Sequence, residues 1–177
     1  MQFLEEILPG AWRVRLERLT DARGEFVKTY SHRLFLTAGV DFQFREEFYS
    51  VSQKDVIRGM HFQTPPHDHD KIVYCAAGAV EDVLLDLRKG SGYGKHLSLT
   101  LSADRPELIL VPKGMAHGFR SLKEGSLMVY KTSTEHAPEH DMGIRWDSFG
   151  FDWRCETPIL SARDLRHQAF ADFKSPF

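Results

Sequence analysis

Short segments in which apolar and polar residues alternate dominate this chain. Residues 10–16 (GAWRVRL) and His96–Ser102 (HLSLTLS) alternate throughout. Each predicts a strand with one packed and one wet face, because successive side chains on a strand point to opposite sides. Lys71–Ala77 and residues 80–87 are rich in β-forming residues, and Gly78 between them predicts a hairpin. In the second run Asp82, Leu84 and Asp86 share one face, and Val83, Leu85 and Leu87 the other. Glu107–Val111 is a further apolar strand, stopped by Pro112 and Gly114, and residues 127–131 form another. Two stretches carry helix signals: residues 31–38, and a segment opening at Ser161 with Asp164 in its first turn. Residues 88–94, with three glycines, read as a loop. No repeat, low-complexity tract or linker interrupts the pattern. The expectation is one all-β domain over residues 1–177, a sandwich or jelly roll with a few short helices.

Composition narrows the class. A length of 177 residues suits a single domain with a true core, and 42% hydrophobic residues is an ordinary globular value. A formal net charge of -2 points to neither nucleic acid nor membrane as partner. No apolar stretch approaches a bilayer span. The first residues, MQFLEEILPGAWRVR, lack the basic start and apolar run of a signal peptide. Cys75 and Cys155 do not make a disulfide framework and are expected to be reduced thiols of a cytoplasmic protein.

Candidate chemistry gathers in the centre of the chain. His61 stands two residues after Gly59 in a β-type stretch, and Lys71 opens an otherwise apolar strand. Pro112-Lys113-Gly114-Met115-Ala116-His117 resembles the second characteristic block of cupins, small jelly rolls in which such a turn delivers a histidine to the barrel mouth. Metal-binding cupins would use His67, His69 and His117, but the acid expected shortly after the first pair is missing, since Val73 and Tyr74 occupy that region. His67 itself reads as a solvated loop residue.

The order and spacing of several blocks together resemble the dTDP-4-dehydrorhamnose 3,5-epimerase family. The blocks are Asp21-Ala22-Arg23-Gly24-Glu25-Phe26, Arg58-Gly59-Met60-His61-Phe62-Gln63, Lys71-Ile72-Val73, residues 82–88, residues 112–119, Tyr130-Lys131, Pro138-Glu139, Gly143-Ile144-Arg145-Trp146 and Leu160-Ser161-Ala162-Arg163-Asp164. The resemblance implies a cupin-like jelly-roll homodimer without metal or other cofactor, acting on a nucleotide-linked 4-keto-6-deoxyhexose. It implies that His61 is the catalytic base, Asp164 its carboxylate partner, Lys71 the group that neutralises the enolate, and Tyr130 the acid on the opposite face. It places Arg23, Phe26, Arg58 and His117 at substrate-binding positions, together with Asp141 and Arg163, which keep the charge of the family's usual glutamate and lysine.

The chemistry is consistent with those residue types. Inverting a carbon next to a ketone needs a proton removed from one face of a planar enolate and another delivered to the opposite face. An imidazole suits the base, a buried carboxylate fixes its tautomer, an ammonium stabilises the oxyanion, and a phenol can return a proton. The substrate's own ketone is the electron sink.

Departures from the family pattern cluster at the nucleotide end. Lys28 stands for a usual glutamate, Glu46-Glu47-Phe48 for a Gln-Asp-Asn triplet, and His136 for a tyrosine. Lys28, Glu46, Phe48 and His136 therefore remain candidate substrate contacts with altered chemistry. A dTDP-sugar is the family's default, with CDP- or GDP-linked sugars as alternatives; the sugar and the set of inverted carbons (C3, C5 or both) are left open, and a carboxylate at Glu46 would repel a diphosphate or change which base edge is read. A metal-dependent cupin enzyme, a sugar-nucleotide ketoisomerase and a non-catalytic sugar-binding jelly roll are the competing readings.

Overall fold

The computed structural model covers residues 1–177. Two antiparallel sheets face one another. The first has six strands in the order β1 (Gln2–Leu8), β2 (Ala11–Arg15), β10 (Glu107–Val111), β7 (Lys71–Ala77), β12 (Ser126–Thr132) and β5 (Glu46–Ser52). The second has five: β13 (Asp141–Gly143), β6 (Ile57–Gln63), β11 (Met115–Ser121), β8 (Ala79–Asp86) and β9 (His96–Ser102). A separate hairpin, β3 (Arg18–Asp21) and β4 (Gly24–Val27), precedes the single helix α1 (His32–Thr37). This is the expected jelly roll. No helix is long and apolar enough to cross a membrane.

Gly78 does not turn a hairpin. β7 pairs with β10 and β12 in one sheet, and β8 with β11 and β9 in the other. The chain therefore changes sheets at Gly78, whose φ of +75° favours glycine and where a Cβ would press on the Ser126 backbone. Two β-rich runs around a glycine look the same whether the chain folds back or crosses over, so local pattern could not separate them. The helix signal at Ser161 resolves into one 3-10 turn, Asp164–Arg166.

Hydrophobic packing falls into three layers. Between the sheets, Val73, Cys75, Leu84, Leu101, Ile109, Met115 and Met128 fill one part of the interior. Outside the five-stranded sheet, the C-terminal segment lays Phe149, Trp153 and Phe173 over Met60, Phe62, Val83, Leu85 and Leu87. This explains why every residue of β8 is buried although it carries Glu81, Asp82 and Asp86. Outside the six-stranded sheet, Phe35 and Phe42 cover Val14, Ile72, Leu108 and Leu110. That cover stops short of β5 and β12, where Tyr49 and Val51 stand 69% and 53% exposed opposite Val129 and Leu127.

Candidate active site

Where the apolar filling ends, the sheets enclose a cavity of about 470 Å³. β5 contributes Glu46, Phe48 and Ser50 to it, β6 contributes Arg58, His61 and Gln63, β7 Lys71, β11 His117, and β12 Tyr130 and Thr132. His69, His136, Asp141 and Arg163 stand around the same space.

Strict alternation would put Arg58 and His61, three residues apart, on opposite faces of β6. They reach one cavity because β6 bulges. His117 pairs with His61 and Phe119 with Arg58, so β6 spends three steps where β11 spends two. The extra residue sits by Gly59, at φ +142°, where a Cβ would collide with the Gly118 backbone. Gly59 is required here both for its backbone conformation and for the close approach of two strands.

His61 Nε2 lies 2.7 Å from Asp164 Oδ1. A carboxylate only accepts, so Nε2 carries the proton and Nδ1 is left as the basic atom. Burial pushes the His61 pKa below its ordinary value, against the pull of Asp164 and with help from Lys71 and Arg163. The imidazole is thus neutral and ready to accept a proton at neutral pH, and 31% of its side chain stays accessible. Burial alone would raise the Asp164 carboxyl, but the imidazoles of His167 and His61 and the Gly59 amide hold it well below the usual carboxylate range.

Lys71 is buried and its Nζ donates to the His61 carbonyl oxygen at 3.2 Å. Burial lowers its pKa to about 8, with Asp141 and Asp82 opposing. A buried ammonium next to the His61 imidazole, with no carboxylate bonded to it, is suited to hold an oxyanion. Because this lysine must be protonated to hold an oxyanion, activity should fall as pH rises through about 8. Because the base must be neutral, activity should also fall as pH drops below the lowered His61 pKa. A profile of kcat/KM against pH checks both limbs, and Lys71→Arg should move only the alkaline one, upward.

Tyr130 is held on two sides. Phe48 stacks on its ring at 4.8 Å between centroids, and His117 meets it edge-on at 6.1 Å. Its hydroxyl shares a 3.3 Å contact with Ser50 Oγ. Burial raises its pKa strongly, so the phenol keeps its proton throughout the working range. His117 Nε2 contacts Asp82 Oδ2 at 2.7 Å, a second imidazole–carboxylate pair, fully buried. At the mouth, Asp141 bridges Arg163 at 2.7 Å and His136 at 3.9 Å, and the Glu46 carboxylate accepts the His136 backbone N–H at 2.8 Å.

Of the residues singled out in the sequence, His61, Lys71, Tyr130, Glu46, Phe48, Arg58, His117, His136, Asp141 and Arg163 line one cavity, and Asp164 backs His61. Arg23, Phe26 and Lys28 do not line the cavity of their own chain. Arg23 pairs with Asp21 on the exposed β3–β4 hairpin, where Phe26 is 59% exposed, and Lys28 is exposed just beyond it. His67, His69 and His117 are not gathered into one ligand set. His67 packs on His140, whereas His69 bonds through Nδ1 to Gln63 and Thr134. Burial, then Lys71, Lys113 and His136, lower the His69 pKa to about 3. The residues whose ligand atoms do converge are His61, Asp164 and His167, within 4.8 Å, but Asp164 and His61 already bond one another.

Sequence reasoning missed Ser50, Asp82 and His167. An acid inside the apolar β8 run was a usable signal for Asp82, and the i,i+3 spacing from Asp164 within a turn was one for His167. Ser50 carries none, because its partner is chosen by strand pairing.

The family profile described as dTDP-4-dehydrorhamnose 3,5-epimerase matches residues 5–172. A dTDP-4-dehydrorhamnose 3,5-epimerase of Shigella flexneri is 36% identical over 156 residues, 86% of each chain. The crystal structure of the Bacillus anthracis dTDP-4-dehydrorhamnose 3,5-epimerase with TDP and pyrophosphate bound superposes with a TM-score of 0.92 at 32% identity, covering 95% of this chain and 98% of that one. A dTDP-6-deoxy-D-glucose-3,5-epimerase from Legionella pneumophila, in complex with dTDP-4-keto-L-rhamnose, gives a TM-score of 0.92 at 27% identity, covering 98% and 94%.

Proposed function

Since the chain belongs to the dTDP-4-dehydrorhamnose 3,5-epimerase family, and so to the isomerases that epimerise sugar nucleotides, we propose that its cavity inverts C3, C5 or both of a dTDP-linked 4-keto-6-deoxyhexose. The observation that carries the assignment of roles is the convergence of His61, Lys71 and Tyr130 on one cavity. His61 takes the proton next to the ketone while Asp164 steadies the imidazolium. The Lys71 ammonium holds the enolate oxygen. Tyr130 delivers a proton to the other face of the flat ring. Arg58, His117 and the Asp141–Arg163 pair supply contacts for the rest of the substrate, and the nucleotide passes the Glu46–His136 mouth.

The test is conversion of dTDP-4-keto-6-deoxyglucose in heavy water, followed by NMR. Deuterium at C3, at C5 or at both, with inversion, is expected and counts the proton transfers. No exchange at either carbon would remove the assignment. CDP- and GDP-linked analogues in the same panel read the influence of Glu46. A clear preference for one of them would move the substrate away from thymidine while keeping the chemistry.

The active unit in this reading is a homodimer. Its support is the uncovered apolar strip Tyr49–Val129 and Val51–Leu127 on the six-stranded sheet, together with a hairpin on which Leu19 and Phe26 are exposed. Such a strip is the kind of surface a partner covers. Arg23 on that hairpin then enters the neighbouring cavity. Arg23→Ala and His61→Asn should each be nearly inactive alone. Mixed one to one with subunit exchange, they should regain about a quarter of native activity, because half the dimers are mixed and each holds one intact site. Exchange without recovery would show that the hairpin serves its own chain or none.

A further inference from the structure

We propose that His167 is a positioning residue that acts through Asp164 to set the basicity of His61, an assignment that rests on the epimerase reading above. His167 follows the 3-10 turn Asp164–Arg166, and its side chain is 12% exposed. Its ring lies against the backbone of Gly143, the β13 residue paired with His61, so closely that a Cβ there would overlap it. The carbonyl of the next residue, Gln168, accepts the N–H of Arg145, two residues beyond β13. The ring is therefore held in a built slot, edge-on to His61 with centroids 5.6 Å apart.

What the slot orients is Nε2. This atom is buried, has no well-aligned hydrogen-bond partner, and lies 3.5 Å from Asp164 Oδ1, the same oxygen that His61 Nε2 approaches to 2.7 Å. A bare nitrogen lone pair 3.5 Å from a carboxylate oxygen would be repelled, so the proton belongs on Nε2. One carboxylate oxygen is thus flanked by two imidazole N–H groups. The second donor draws charge from Asp164 and weakens the stabilisation it can give to a protonated His61, which keeps the base neutral at lower pH. The other charged groups around His61 are Lys71, Arg163 with its partner Asp141, Arg58, and the pair formed by His117 on the adjoining strand β11 and Asp82 on β8 beyond it. None of them depends on His167, so its effect is separable from theirs.

The experiment is the pH profile of kcat/KM for the native enzyme, His167→Phe and His167→Gln, with a nitrogen-15 NMR titration of the native imidazoles. His167→Phe keeps a flat ring and removes the donor. Its acid limb should move up by about one pH unit while the Lys71 limb stays in place. His167→Gln, whose amide N–H can replace Nε2–H, should return the limb towards native. In the native protein the His167 Nε2 should read as protonated from pH 6 to 8. An Nδ1–H tautomer with bare Nε2, or an acid limb that His167→Phe leaves unmoved, would overturn the proposal. So would equal displacement by both variants, which would mean packing alone. The NMR reading needs no turnover and no variant, so it stands even if the native protein fails to convert the substrate or His167→Phe does not fold.

Discussion

His61→Asn is expected to lower turnover by about 1,000-fold, equivalent to about 4 kcal/mol on the barrier. An amide cannot accept a carbon-bound proton, whereas the shape of asparagine lets it keep a hydrogen bond in the same part of the cavity. Affinity for the nucleotide sugar should change little, because Arg58, Lys71, His117 and Arg163 are untouched. The loss should therefore appear in kcat and not in KM. Solvent deuterium should also stop entering the sugar, since the other carboxylate-backed imidazole of the cavity, His117 on Asp82 at 2.7 Å, has only 4% of its side chain accessible, against 31% for His61. Calorimetry for binding and NMR in heavy water for exchange check the two halves separately. Exchange continuing at the native rate would place the base elsewhere.

Tyr130→Phe should separate the two proton transfers. The phenol is buried, keeps its proton, and is fixed by Phe48 and Ser50. Phenylalanine preserves the 4.8 Å stack on Phe48 and deletes only the hydroxyl, at a stability cost of about 1 kcal/mol for the Ser50 contact. Proton removal by His61 should survive, with deuterium returned to the face from which the proton left. Inversion should fall by about 100- to 1,000-fold. The expected spectrum shows the substrate labelled at the reacting carbon with its configuration retained. Inversion at the native rate would mean that the second proton comes from another group, with solvent entering through the Glu46–His136 mouth as the first alternative to trace.

Much of this architecture was legible in the residue pattern because a strand's side chains alternate, and β9 and β10 begin and end where the alternation and the flanking breakers put them. The pattern was less informative where both faces of a strand are covered. Asp82, Leu84 and Asp86 look like a wet face of β8, yet Asp82 holds His117 in the interior while Val83, Leu85 and Leu87 lie under Trp153 and Phe173. Lys71 and His61 stood out as polar residues in β-type stretches. His167 had only its i,i+3 spacing from Asp164 to mark it, because a histidine in a polar turn otherwise looks solvated until Gly143 is known to lie against it.

The sequence by itself determined several of the strands, β9 and β10 most closely, and the chemical inventory of an imidazole, an ammonium, a phenol and a carboxylate, because periodicity and residue type are local properties. It also carried the family, since the matching blocks keep their order along the chain. The tertiary structure decided which of those groups meet. Asp164 is 103 residues from the His61 it touches, and Tyr130 comes from the opposite sheet. Arg58 shares a face with His61 only because β6 spends an extra residue at Gly59. The crossover at Gly78, the bulge at Gly59 and the slot for His167 all depend on close approach to a glycine by a segment distant in sequence, backbone in the first two and an imidazole ring in the third, which no local pattern records.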